Sequence, residues 1–420
     1  MGLSMLPTQL SPIAVDVGAA SIKVLQVTLG ERPSLHALAE LEIPDPIRLD
    51  VDKRHSFLQS ELPGLLRAHG FKGRRIVCSP LASQVVVQPI QVDRGDIQDQ
   101  HLLASAQLEA QLDRIPGSLV VRSSAIADSA RDGRSMTELL CWAMAREDAM
   151  RYVELFKSAK CKLVGLHPQV QSIIGAFDHI NRRASDSTIS TMYVDLGWGG
   201  MKIAIAHGCE MVFAKQVQIG GRQLDGLIAE RSGTDQFTAR MRRINDGMLE
   251  NECQESTARE RTPVSGGMAM LRAGMAKQNG EEADQHVKSD LSVMAADRRS
   301  NADPPEYAEG VTPSANGLVS GGVDCSELME SMSDELSLCV RYHSAMFGQR
   351  KIDRVIFLGG ESRSTALCRS LARSLNVSAQ LGDPLARYVD GPNDPKLPDP
   401  GQVSPSWASA CGLCTASVDL

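Results

Sequence analysis

No run of about 18 apolar residues occurs in this chain, so no segment reads as a membrane-spanning helix. The most apolar early stretch, residues 13–29, is interrupted by Asp16, Lys23 and Gln26. The first residues show no basic segment followed by an apolar one, and no secretory signal is expected. Basic excess is missing too. The formal net charge is −7, which argues against a general nucleic-acid binder, since such a protein presents a basic face to the phosphates. No GxSxG or GxxxxGK[ST] sequence is present, so neither an acyl-transfer elbow nor a P-loop has support. No His/Cys/Asp cluster has zinc spacing. Ten cysteines are scattered from Cys78 to Cys414, too sparsely for a secreted disulfide framework, and reduced thiols in a cytosol are expected. Cys411 and Cys414 read as small core residues on a terminal helix. Aromatic residues are only 4% of the chain, so its cores must rest on Val, Ile, Leu, Met and Ala.

What is present is a soluble-type composition, 42% hydrophobic and 23% charged, over 420 residues. That length exceeds what one core usually serves and predicts two lobes. Residues 1–11 read as a disordered tail. Ile13-Ala-Val-Asp-Val17 and Ile22-Lys-Val-Leu-Gln-Val-Thr-Leu29 are β-rich runs joined by Gly18-Ala-Ala-Ser21, the pattern of a hairpin. A third strand is expected over 34–43, a helix over 54–69 and a strand over 74–78. Asp96 is placed to cap a helix, with Asp99 in its first turn. Ala104, Leu108, Leu112 and Ile115 form its apolar stripe, and Pro116 ends it. Strands at 119–126 and 137–144 and a helix at 147–159 follow.

Thr191-Met-Tyr-Val-Asp195 and Met201-Lys-Ile-Ala-Ile-Ala206 then repeat the opening. An apolar strand ends in Asp, a glycine turn follows, and a second strand begins with an early Lys. Two such units about 180 residues apart are what a duplicated fold would produce. Residues 244–322 are rich in Asp, Glu, Ser, Gly and Arg with one aromatic, Tyr307, and are expected to be mostly disordered. Met332, Leu336, Val340 and Phe347 make a helical stripe. Arg354-Val-Ile-Phe-Leu358 is then a strand running into Gly359-Gly360-Glu361, with a helix at 363–375.

Three loops carry the chemistry. Phosphate oxygens need backbone N–H donors at close range, and only small residues let the backbone approach. Asp16-Val-Gly-Ala-Ala-Ser21 supplies such a turn through Gly18, Ala19, Ala20 and Ser21, while Lys23 adds a charge. Asp16 would hold Mg²⁺ through water, because Mg²⁺ keeps several waters and prefers carboxylate oxygens. Asp195-Leu-Gly-Trp-Gly-Gly200 offers the same parts from a second lobe, with Asp195 as the second metal-facing carboxylate and Gly197, Gly199 and Gly200 as the bare backbone. Gly359, Gly360 and Glu361 end a strand where an adenosine could lie against the chain.

This order of loops resembles the phosphate-1, phosphate-2, adenosine pattern of the actin, sugar-kinase and heat-shock chaperone superfamily. Within it the chain resembles the PilM family of type IV pilus assembly proteins, relatives of the cell-division protein FtsA. Asp16-Val-Gly-Ala-Ala-Ser-Ile-Lys23 is similar to that family's opening DIGxxSxK. Glu109-Ala-Gln-Leu-Asp-Arg-Ile-Pro116 is similar to a motif of its small subdomain, Ile219-Gly-Gly-Arg-Gln-Leu224 to its FGGxQLT, Leu358-Gly-Gly360 to its terminal loop, and Gly382-Asp-Pro384 to its (N/D)P turn. The resemblance covers about 12–243 and 323–415. It implies an α/β, two-lobed actin-like fold, ribonuclease-H-like and duplicated, with a small inserted α+β subdomain. The divisions would be 12–79 for the first lobe, 80–160 for the subdomain, 161–243 for the first part of the second lobe, 244–322 for the insert, and 323–420 for the rest of the second lobe and the return to the first. The resemblance also implies ATP and Mg²⁺ as ligands and the cytoplasmic tail of a PilN-like inner-membrane protein as partner. The location implied is cytoplasmic, at the inner face of the membrane through that partner, and self-association is left open.

Departures from the family shape the expected activity. Gly200-Met201 stands where small hydroxyl residues are usual, and Asp225 where a Thr is. No carboxylate lies near Leu166-His167-Pro168, where related ATPases orient the attacking water. Only His167, Gln169 and Gln171 are candidates there, no catalytic residue is assigned, and hydrolysis is expected to be weak or absent. Several single residues have two readings. Lys23 meets a phosphate or points to solvent, and Trp198 stacks on a ligand or covers the lobe junction. His167 is a turn residue or a base. Arg242 and Arg243 flank adenosine or sit on a solvated helix face. The other functions in view are a small-molecule kinase, which needs a catalytic Asp for which no loop stands out, and an FtsA-like protein, which needs a terminal amphipathic membrane helix that 404–420 does not resemble.

Overall fold

A computed structural model describes residues 9–131, 134–181, 183–245, 292–295, 323–391, 394–399 and 401–418. The first lobe is built around β1 (Ile13–Val17), buried along its whole length as a strand covered on both faces must be. It pairs antiparallel with β2 (Ser21–Val27), which pairs antiparallel with β3 (Leu35–Glu42). Helix α1 (Val51–Ala68) starts at Asp50, whose carboxylate accepts a hydrogen bond from Lys53 N at 3.0 Å. The helix returns the chain to β4 (Arg75–Ser79), parallel to β1.

A small three-stranded subdomain interrupts this lobe. It contains β5 (Val85–Asp93), α2 (Ile97–Gln111), β6 (Leu119–Arg131) and β7 (Arg134–Ala145), with sheet order β5-β7-β6. The opening strand is hard to see in sequence because Pro89 lies inside it. Its place at the sheet edge explains the tolerance, since an edge strand does not need every N–H. Asp96 caps α2 by accepting from Gln98 N at 2.9 Å, and Ala104 and Leu108 are buried as expected. Ile115 does not continue the stripe. The helix ends at Gln111, Asp113 turns the chain at φ 51°, and Ile115 is 77% exposed. Glu109 has a structural task, accepting from Gly117 N at 2.8 Å and Leu119 N at 3.3 Å to hold the turn that leads into β6.

After α3 (Arg146–Ser158), β8 (Lys162–Leu166) completes the first sheet in the order β3-β2-β1-β4-β8. Helix α4 (Gln169–Ala176) leads to the second lobe. There β9 (Ser190–Leu196), β10 (Met201–His207) and β11 (Glu210–Val217) repeat the antiparallel meander. Helices α5 (Gly221–Ser232) and α6 (Gln236–Asn245) follow, then β12 (Ser292–Ala295), α7 (Ser326–Met346), β13 (Arg354–Leu358), α8 (Thr365–Leu375) and β14 (Ala379–Asp383). Strand β13 runs parallel to β9 and β14 parallel to β13, so the sheet order is β11-β10-β9-β13-β14-β12. The two sheets thus share a meander followed by parallel strands, the duplication expected from the repeated strand–turn–strand units.

The last helix, α9 (Ala408–Leu413), packs against α4 between the lobes. Gly412 lies so near the Ser172 carbonyl that any Cβ there would collide with it. This close approach seats Trp407, Cys411 and Cys414 in one apolar cluster with Ala14 and Val77 of the first lobe and Tyr193 and Ile356 of the second. Both cysteines are free and buried. The expected disorder of 1–11 and 244–322 falls mostly outside the described residues. Within those stretches Leu10 bridges Thr28, Ser11 is buried, α6 reaches Asn245, and β12 pairs parallel with β14.

Candidate functional site

The register of the two hairpins places the same pair of side chains at the same point in each lobe. Asp16 stands opposite Lys23 across β1–β2, and Asp195 stands opposite Lys202 across β9–β10. Both pairs face a cleft of about 470 Å³ between the lobes, within the usual range for small-molecule sites. Every residue singled out in the three loops, from Asp16 to Lys23, Asp195 to Gly200 and Gly359 to Glu361, lines this cleft, except Val17, Ile22 and Leu196 within those spans, which were not among the candidates.

The glycines are needed because the loops interlock through bare backbone. A Cβ on Gly199 would sit 2.7 Å from the Ala19 Cβ, so the turn of one lobe touches that of the other. A Cβ on Gly220 would collide with Gly197 O and lie 2.7 Å from Gly200 N. Gly359, at φ 88°, packs against Asp195 and Leu196, a conformation and a spacing that only glycine meets readily.

The charges are arranged around these turns. Lys202 Nζ lies 2.8 Å from Asp195, and Lys23 Nζ lies 2.9 Å from Glu40 while donating to Ser21 Oγ at 2.7 Å. Lys23 is only 8% exposed and lines the cleft, so it does not point to bulk solvent. Asp16 is buried and accepts a 2.6 Å hydrogen bond from Gln169 Nε2. Burial pushes its carboxyl above the ordinary value, although Lys202, Lys23 and Gln169 pull the other way. Two buried carboxylates on opposing strands are hard oxygen donors that suit Mg²⁺ held through water and phosphate. Among the described residues no group of three or more His, Cys, Asp or Glu could hold a metal ion by itself.

Of the three residues considered for orienting a water, only Gln169 lines the cleft. His167 is buried with Nε2 2.9 Å from Ser417 O, which ties it to the C-terminal segment. Trp198 lies at the lobe junction. Its Nε1 donates to Asp225 at 2.8 Å, and the Arg48 guanidinium of the first lobe sits 5.2 Å from its ring centroid. Arg242 is exposed, but Arg243 is not on a solvated face. It is 6% exposed, ion-paired to Asp225 at 2.8 Å and to Glu361. Burial works against its charge, but Glu361 and Asp225 more than offset this and hold the guanidinium above its ordinary value. The basic residues Arg48, Arg222, Arg240 and Arg363 also line the cleft, and only the packed lobes bring them together.

Two lobes of common topology, each offering an Asp–Lys rung and a glycine turn to one cleft closed by a Gly-Gly loop, define the actin-like ATPase class of fold. The chain is similar in particular to PilM as solved in a PilM–PilN type IV pilus biogenesis complex. The match has a TM-score of 0.67 and 15% identity, and covers 96% of this chain and 98% of that one. The fold is therefore PilM-like. The ethanolamine utilization protein EutJ from Carboxydothermus hydrogenoformans is a more distant match, with TM-score 0.45, 11% identity, and coverage of 98% of this chain and 91% of that chain. No protein-family model and no curated protein matches the sequence.

Proposed function

We propose that this chain binds Mg²⁺·ATP between its lobes and acts as a nucleotide-set scaffold for a type IV pilus-like machine. In this reading it works in the cytoplasm, at the inner face of the membrane, by gripping the cytoplasmic tail of a PilN-like protein. The observation that carries the nucleotide part is the pair of Asp–Lys rungs, Asp16–Lys23 and Asp195–Lys202, facing one cleft beside turns whose backbone is bare. Cations and amides there meet phosphate, and the carboxylates meet a hydrated metal. Likeness of fold to PilM, solved together with PilN, supports the partner. Nucleotide occupancy would set the lobe angle and so the partner affinity, a population shift that needs no turnover.

Millimolar Mg²⁺·ATP should raise the melting temperature, because a ligand selective for the folded state adds about 2.7 kcal/mol at a hundredfold excess over Kd. Asp16→Ala and Asp195→Ala should each abolish that shift. An unchanged melting curve for the intact protein would remove the nucleotide reading. A pull-down from membranes with and without ATP, read by mass spectrometry, tests the partner. Recovery of division proteins instead of pilus inner-membrane proteins would overturn that part.

A further inference from the structure

Arg54, on the first turn of α1, is a buried cation held by backbone alone. It is 5% exposed, and its guanidinium donates to Gly18 O at 2.6 Å, Ala19 O at 2.7 Å and Arg48 O at 3.1 Å. Among the described residues no carboxylate forms an ion pair with it. A charge taken from water and met only by carbonyl dipoles is costly, and such groups are usually paired. Burial depresses its pKa, and nearby Arg48 adds to that effect, while Tyr152 opposes it.

Its position shows what the charge does. Gly18 and Ala19 line the large cleft, whereas Arg54 does not. It lines a separate cavity of about 20 Å³ behind the turn, with Val17, Leu58 and Tyr152. In a planar trans peptide the N–H points opposite to the C=O, and the chain has no cis peptide bonds among the described residues. Drawing the Gly18 and Ala19 carbonyls back to Arg54 therefore turns the amides of Ala19 and Ala20 away from it, toward the cleft. Two successive amides aimed at one concavity are an anion-binding arrangement.

We infer that Arg54 is the positioning residue of the first phosphate turn, holding its carbonyls back so that its amides face a polyphosphate. The same guanidinium places a positive charge behind the turn without occupying the cleft. This inference rests on the reading that the cleft takes a nucleoside triphosphate. It predicts a ligand that depends on its phosphates at this end and a loss confined to them when Arg54 is removed.

The test compares the full-length protein with Arg54→Met and Arg54→Lys, using competition binding by ATP with Mg²⁺ and by adenosine. Hydrogen exchange of the amides in 18–21 is followed in the absence of ligand. Arg54→Met should weaken ATP about tenfold or more, leave adenosine within about twofold, and speed exchange in the turn. Arg54→Lys, which keeps the charge but loses the two-pronged grip, should fall between. If Arg54→Met does not fold, the lysine variant carries the comparison. Equal loss of ATP and adenosine, or no loss of either, would overturn the inference and assign Arg54 a role in stability alone. If the wild-type chain binds no nucleotide, the nucleotide reading fails by itself. The positioning role toward a polyphosphate falls with it, whereas nucleotide binding by the wild type together with unchanged exchange in Arg54→Met overturns the inference alone.

Discussion

In the proposed nucleotide site, the burial that would bring the Asp16 carboxylate to a ligand acts against the stability of the empty protein. Its carboxyl has an ordinary value of 3.8, and burial raises it in the folded chain. The folded state therefore holds this proton at pH values where the unfolded chain has already released it. The group's contribution to stability is most favourable below 3.8 and is lost as pH rises through the raised folded value. Replacing Asp16 by Asn removes the buried charge with little change of shape. The variant without nucleotide should melt a few degrees higher at pH 7, with a flatter pH dependence above 3.8. It should also lose the Mg²⁺·ATP shift. Scanning fluorimetry across pH reads all three effects, and a lower melting temperature at pH 7 would show that the lysine contacts outweigh burial.

At the level of elements, parts of the second lobe that line the cleft are tied together by one cation. Arg243 on α6 joins Asp225 on α5 to Glu361 after β13, partners 18 and 118 residues away in sequence. Trp198 in the second turn binds the same Asp225. Asp225, the departure from the family's Thr, thus works as a partner for Arg243 and Trp198. Removing Arg243 strands two carboxylates with little access to water, so Arg243→Ala should cost about 3–5 kcal/mol. Urea denaturation would measure it as a lower midpoint with an unchanged slope. Arg242→Ala, on the exposed side of the same helix, should cost under about 0.5 kcal/mol.

Across the whole molecule, the lobes meet at several points around the cleft. Gly199 touches Ala19, Arg48 stacks on Trp198, and Arg240 lies 3.5 Å from Glu42 and 3.6 Å from Asp45. Helices α4 and α9 pack closely against each other between the lobes. Of the three residues considered for orienting a water, the one that lines the cleft is an amide, Gln169. An amide can orient a water but cannot take its proton. Turnover should therefore stay below about 1 per second, the lower end of typical enzymes, while binding persists. A phosphate-release assay with Asp16→Ala as contamination control checks this. Faster release that vanishes in the mutant would make the protein a working ATPase.

The repeated strand, Asp, glycine turn and early Lys were legible in sequence because each is a local pattern. A strand fixes which residues alternate, a hairpin fixes which ones pair, and Asp16–Lys23 and Asp195–Lys202 follow from those short-range rules. So does the helix stripe at Met332 and Leu336. Pro89 hid β5, since whether proline fits a strand depends on its place in the sheet, which the strand's own residues do not state. Ile115 was misplaced because a left-handed turn at Asp113 ended the stripe earlier than its spacing suggested. Solvation was decided only by the packed lobes. Arg243, Arg54, Lys23 and Trp198 have the same local sequence whether they face water or a neighbour. Their partners arrive from other elements, and burial depends on what the fold brings over a side chain rather than on the residues beside it.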